Sequence, residues 1–183
     1  MVKGCECCDS RQKNEEKNKI VKLEGGWVLN HYGGEDELYL GRFVLQTYDH
    51  RPDWGDLSQL EIATLGINLQ RINSSLRHYW IKKFDDYIDQ IYIAYFNDKP
   101  YKNTDIPKDI YNKLHVHMHI LVRTHDTRKE LIKKQIRLKD ALGWHFIDYI
   151  NKFPKIYQIS SNGDDKVKQL MEYLNLSLSI KND

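Results

Sequence analysis

The chain has 183 residues, enough to bury one core with extensions, and its 40% hydrophobic and 30% charged residues are the ordinary mix of a globular domain. Lys+Arg 28 against Asp+Glu 26 leaves a net charge of +2, which argues against a basic nucleic-acid face or a membrane-surface patch. No apolar run reaches the length of a bilayer span and the first residues lack a signal-peptide core, so the expectation is a cytoplasmic protein with neither membrane nor nucleic acid as partner.

The three cysteines fall between Cys5 and Cys8. An odd, tightly clustered set in a chain read as intracellular points to metal or redox chemistry rather than a disulfide framework. Residues 9–24 are dense in Lys, Glu and Asn, and read as an exposed linker or the start of a surface helix. Two strands follow, over residues 26–32 and 39–48, with Gly33-Gly34 and acidic residues turning between them.

Ser58 and Glu61 form a capping-box pattern that opens a helix. Ile62, Leu65, Leu69, Ile72, Leu76 and Tyr79 recur at spacings of three and four and predict its buried stripe. Residues 90–96 are strongly β-prone, and a polar loop from Asn97 to Lys113 leads into Leu114-His-Val-His-Met-His-Ile-Leu-Val-Arg123. Beyond residue 124 the pattern turns helical. Thr127 and Glu130 suggest a second capping box, and Leu131, Ile132, Gln135, Leu138, Leu142 and Phe146 follow. Pro154 breaks that pattern, residues 156–160 suggest a short strand, and residues 164–174 predict a last helix with Val167, Leu170, Met171 and Leu174 inward.

The informative segment is His115-Val-His-Met-His119. Side chains on a strand alternate faces, so His115, His117 and His119 share one face, and Val116, Met118, Ile120 and Val122 take the other. Three imidazoles on one face are costly to bury without partners, so that face should line a site or bind a metal.

The run His-Val-His-Met-His-Ile-Leu resembles the signature of the histidine triad (HIT) family, and the order of elements around it resembles the family over residues 26–124. The resemblance implies an α+β fold, an antiparallel sheet with a long helix packed on it, here followed by a helical C-terminal extension. Residues 1–25 would be a zinc-binding segment and linker, 26–124 the HIT domain, and 125–183 the extension packed on it. The resemblance also implies chemistry. His117 would attack the α-phosphorus of a nucleotide and carry the nucleotidyl group, with His119 on the phosphate or leaving group and His115 at the first triad position. Asn30 matches a ribose-holding position, and Asn97 and Asn112 match polar residues beside the phosphates. The glycines that often precede the triad are replaced here by Ile110-Tyr-Asn-Lys-Leu114, so Lys113 or Arg123 becomes a candidate phosphate contact.

Several HIT branches also bind a structural zinc through a C-x-x-C pair, the histidine after the second strand and the first triad histidine. Those positions match Cys5, Cys8, His50 and His115, with Cys7 able to replace either cysteine. The resemblance therefore implies a Zn2+-carrying homodimer that hydrolyses a dinucleoside polyphosphate, such as diadenosine tetraphosphate, or a nucleoside phosphoramidate. The alternatives are a nucleotidyltransferase related to galactose-1-phosphate uridylyltransferase, which has Gln where His119 stands, and a nucleotide-binding module with little turnover.

Overall fold

The structure, a computed structural model, describes residues 4–16, 19–32, 39–95, 113–133, 159 and 165–179. Among these, β1 (Ile20–Lys22), β2 (Trp27–His31), β3 (Arg42–Thr47), β4 (Ile88–Tyr95) and β5 (His117–Thr124) form one antiparallel sheet of order β1-β2-β3-β5-β4. Four helices accompany it: α1 (Glu6–Glu16), α2 (Gln59–Phe84), α3 (His125–Lys133) and α4 (Asp165–Leu178). The class is α+β, as the sequence implied. No helix among the described residues is long and apolar enough to cross a membrane.

The alternation expected on β5 organises the molecule. Met118, Ile120 and Val122 enter the core with Val116, Trp27, Leu29, Phe43, Leu45 and the α2 residues Ile72, Leu76, Tyr79 and Trp80. Each large apolar side chain removed from water here contributes about 1.5–3 kcal/mol before the entropy of ordering is set against it. The opposite sheet face carries the polar residues. The register aligns Asn30, Val44, His119 and Ala94 in one row and Gln46 with His117 in the next.

Helix α2 starts as expected: the Ser58 hydroxyl accepts from the Glu61 amide, and the Glu61 carboxylate accepts from the Ser58 amide. Its buried line differs from the expected stripe. Ile62 is exposed, and the first turns bury Glu61, Thr64 and Asn68 instead. The reason is the chain entering β2: Trp27 Nε1 donates to the Glu61 carbonyl, and Asn68 Nδ2 donates to the Glu24 carbonyl. Polar residues on this face answer backbone groups that an apolar stripe would leave unpaired.

Residues 9–24 hold more structure than a linker. Helix α1 begins at Glu6, and β1 pairs with β2 through Ile20↔Asn30 and Val21↔Leu29. Capping of α3 lies one turn earlier than expected, where the Thr124 amide donates to the Thr127 hydroxyl and the Thr127 amide to the Thr124 hydroxyl. Leu131 is buried and Ile132 exposed. The last helix is longer than expected, with Val167, Leu170, Met171, Leu174 and Leu178 inward. It packs on α2 and β1, and Asn175 Nδ2 donates to the Ile20 carbonyl. The Gly33-Gly34 turn, the loop from Asn97 to Asn112 and the helix expected past Lys133 lie outside the described residues, as does the strand expected at 156–160 except for the buried Ile159.

Candidate metal centre and active site

The first triad histidine does not sit beside the other two. His115 precedes β5, and its ring turns toward the N-terminal cysteines. His115 Nδ1 lies 3.5 Å from both Cys5 Sγ and Cys8 Sγ, and Cys8 Sγ lies 3.5 Å from His50 Nδ1. Zinc–sulfur bonds of about 2.3 Å and zinc–nitrogen bonds of about 2.0–2.1 Å, set at the tetrahedral angle, separate S and N by about 3.5 Å. The ligand atoms of Cys5, Cys8, His50 and His115 all lie within 4.8 Å of one another, and Cys7 is not part of the group.

The chemistry of these donors fits a tetrahedral cation. The Thr47 carbonyl lies 3.0 Å from His115 Nε2 and the Thr47 hydroxyl is equally near. A carbonyl only accepts, so Nε2 carries the proton and Nδ1 presents its lone pair to the cysteines. Burial pushes the Cys5 thiol up to about 11. Burial likewise pulls His115 down to about 4, against the opposing bond to Thr47. A buried thiol that holds its proton this tightly becomes a thiolate only beside a cation, and a neutral imidazole is the form that ligates. Cys7, half-buried, is pushed up to about 12 by burial and by Cys5 and Cys8.

Several bonds hold this centre to the sheet. Gln46 Nε2 donates to the Cys7 carbonyl, and the Val116 amide donates to the Arg51 carbonyl. Arg51 in turn pairs with Glu61, the carboxylate that caps α2. The start of the long helix thereby fixes the loop that carries His50 and the chain just before β5.

His117 and His119 do lie side by side, with ring centroids 5.1 Å apart. His117 Nδ1 donates to the His115 backbone carbonyl at 2.8 Å. That bond leaves Nε2 of a neutral ring as an unprotonated nucleophile. Burial pulls His119 down to about 4, with His117 and Arg42 adding to the effect, so at neutral pH it offers an N–H without a full charge.

Asn30 lies in the same row of the sheet as His119, almost wholly buried. Its Oδ1 has no hydrogen-bond partner among the described residues. A buried acceptor left unpaired is costly, and a ligand hydroxyl would answer it. Arg123 is on the same face but four residues past His119. Its Nε and Nη2 both bind Asp89, which Arg128 also meets, and Nη1 has no hydrogen-bond partner among the described residues. Lys113 is exposed, and Asn97 and Asn112 lie outside the described residues. Two polar residues on this face escaped the sequence reading: Gln46, opposite His117, and Arg42, whose guanidinium lies 3.9 Å over the Tyr32 ring. The signal was available, because alternation along residues 42–47 places Arg42, Val44 and Gln46 together on the face opposite Phe43 and Leu45.

No protein-family model matches the chain, and no curated protein matches it. Four chains of solved structures match. One is the crystal structure of a hypothetical histidine triad nucleotide-binding protein from Sulfolobus tokodaii strain7, 9% identical, with 91% of this chain and 89% of that chain covered at a TM-score of 0.50. At that identity the likeness is one of architecture, and the fold of this chain is HIT-like.

Proposed function

We propose that this chain is a nucleotidyl hydrolase of the HIT type, with residues 26–124 as the catalytic unit, residues 1–25 supplying metal ligands and residues 125–183 a helical extension on the same domain. The observation that carries the reading is the bond from His117 Nδ1 to the His115 carbonyl, which leaves Nε2 ready to attack a phosphorus. The substrate would be a dinucleoside polyphosphate or a nucleoside phosphoramidate, with Oδ1 of Asn30 accepting from a ribose hydroxyl. Nε2 attacks the α-phosphorus, and a P–N bond forms as the bond to the leaving group breaks. The proton on Nδ1 stays there, hydrogen-bonded to the His115 carbonyl, and the N–H of His119 donates to a phosphoryl oxygen or to the departing oxygen or nitrogen. Water then attacks the same phosphorus and the P–N bond breaks, releasing a nucleoside monophosphate and restoring the ring. Asn97, Asn112 and Arg123, the last through Nη1, are carried as further nucleotide contacts. A homodimer in the cytoplasm is the working assembly.

Cys5, Cys8, His50 and His115 would hold a structural zinc. Four protein ligands leave it no open position, so it contributes cross-linking rather than Lewis acidity. The fit rests on the donor set and on the three 3.5 Å sulfur–nitrogen edges.

The same metal donors favour a second reading, transfer of a nucleotidyl group to a sugar phosphate. His119 opposes it, since the corresponding residue in the transferase branch is Gln. Incubation with diadenosine tetraphosphate, adenosine phosphoramidate, and UDP-glucose with galactose 1-phosphate separates these readings. Release of nucleoside monophosphate supports hydrolysis, and label exchange between the sugars supports transfer. Turnover of none of the three, with nucleotide still bound, leaves a binding module.

A further inference from the structure

Arg42 lies on the triad face of β3, opposite Leu121 and diagonal to His119. Its guanidinium carbon is 3.9 Å above the Tyr32 ring. The Tyr32 amide donates to the Arg42 carbonyl, and the Tyr32 ring meets His119 edge-on at 5.8 Å. His117, His119, Tyr32 and Arg42 therefore form one contiguous run, beginning at the nucleophile and ending at a cation. Arg42 is 3% exposed, and burial lowers its pKa only to about 10, so it is charged at neutral pH. A full charge this deep is costly, and the face of the Tyr32 ring offsets part of that cost.

The two substrate classes differ in what leaves. Breaking a P–O bond in a polyphosphate leaves the electron pair on an oxygen of an already polyanionic chain. Breaking a P–N bond in a phosphoramidate releases an amine, which takes up a proton and carries no negative charge. His119, neutral in this environment, supplies a hydrogen bond to either leaving group but no charge.

We propose that Arg42, seated on Tyr32, binds the departing polyphosphate chain and makes this a site for dinucleoside polyphosphates rather than phosphoramidates. The inference rests on the hydrolase reading above. In the step itself, His117 Nε2 bonds to the α-phosphorus, and the P–O bond on the His119 side breaks. The electron pair stays on the departing phosphate oxygen, where the Arg42 charge and the His119 N–H meet it. Planar, multi-donor guanidinium geometry suits a chain of phosphates better than one ammonium does.

The test compares kcat/KM of the full-length, metal-loaded wild type, Arg42→Gln and Arg42→Lys on diadenosine tetraphosphate and adenosine phosphoramidate. Arg42→Gln should lose about 30-fold on the polyphosphate, the effect of one hydrogen bond to a charged group, with a loss on the phosphoramidate at least about tenfold smaller. Arg42→Lys, which keeps the charge, should hold the ratio of the two activities within about threefold of wild type. Equal losses on both substrates, or none on either, overturn the proposal. If the wild type turns over neither substrate, the hydrolase reading fails by itself, and binding of inorganic tripolyphosphate then decides about Arg42. Binding at least about tenfold weaker in Arg42→Gln supports the anion site, and unchanged binding overturns it.

Discussion

His117 Nδ1 donates to the backbone carbonyl of His115, 2.8 Å away, while the His115 ring points back toward Cys5 and Cys8. One residue thus sets the tautomer of His117 with its backbone and joins the candidate metal centre with its side chain. The active face and the N-terminal segment are coupled at that residue and again where Gln46, opposite His117, donates to the Cys7 carbonyl.

Metal loss should therefore affect both stability and turnover. Protein purified without chelator should carry about one zinc per chain, and Cys8→Ser should carry almost none. The variant should melt earlier by roughly 5 °C or more and lose activity mainly through kcat, because the carbonyl that orients His117 is no longer anchored. Elemental analysis, thermal melts and steady-state kinetics check this. A Cys8→Ser protein with full zinc content would remove the site.

Acid should weaken the fold through a buried imidazole. His119 sits at about 4 in the folded chain, below the ordinary histidine value of 6.5. The unfolded chain therefore binds a proton first. Its contribution is fully present above about pH 6.5 and is lost progressively as pH falls to about 4. Urea midpoints across this range should decline toward acid, and His119→Asn should flatten part of the decline. A wild-type midpoint constant from pH 7 to 4 would contradict the neutral-histidine account.

Asn30 offers a test of the ribose contact. Asn30→Ala should raise KM about tenfold for a ribonucleotide substrate and much less for the analogue lacking the contacted hydroxyl. Stability should change little, because the change removes an acceptor that has no partner among the described residues. A KM that rises equally for both substrates would place Asn30 outside the ribose site.

Much of this site was legible in the sequence because its spacing maps onto simple geometry. Alternation at residues 116–122 separates core from site on β5, while Cys5, Cys8, His50 and His115 follow from the resemblance to zinc-binding HIT branches and come together in the structure. What escaped was decided by tertiary partners. β1 is only three residues long, and it is a strand because β2 presents an open edge to it. Ile62 matches the periodic stripe but lies outside the buried line, where the Glu24 carbonyl accepts from Asn68 and the Trp27 indole reaches the Glu61 carbonyl instead. His115 fell out of the expected row of three rings because its lone pair faces the thiols. Strand alternation puts Arg42 on the triad face, but its place under Tyr32 beside His119 depends on the register and the ring contact.

His117 as the covalent nucleophile is the claim on which the rest depends. The most direct measurement is acid-free rapid quench with diadenosine tetraphosphate, followed by intact-protein and peptide mass spectrometry. The account predicts one nucleoside monophosphate attached to the peptide containing His117, forming before product accumulates. His117→Ala should show no adduct and a rate lower by at least about 10³-fold, within the range seen when an essential catalytic group is removed. Turnover without any adduct, with His117→Ala as fast as wild type, would contradict it.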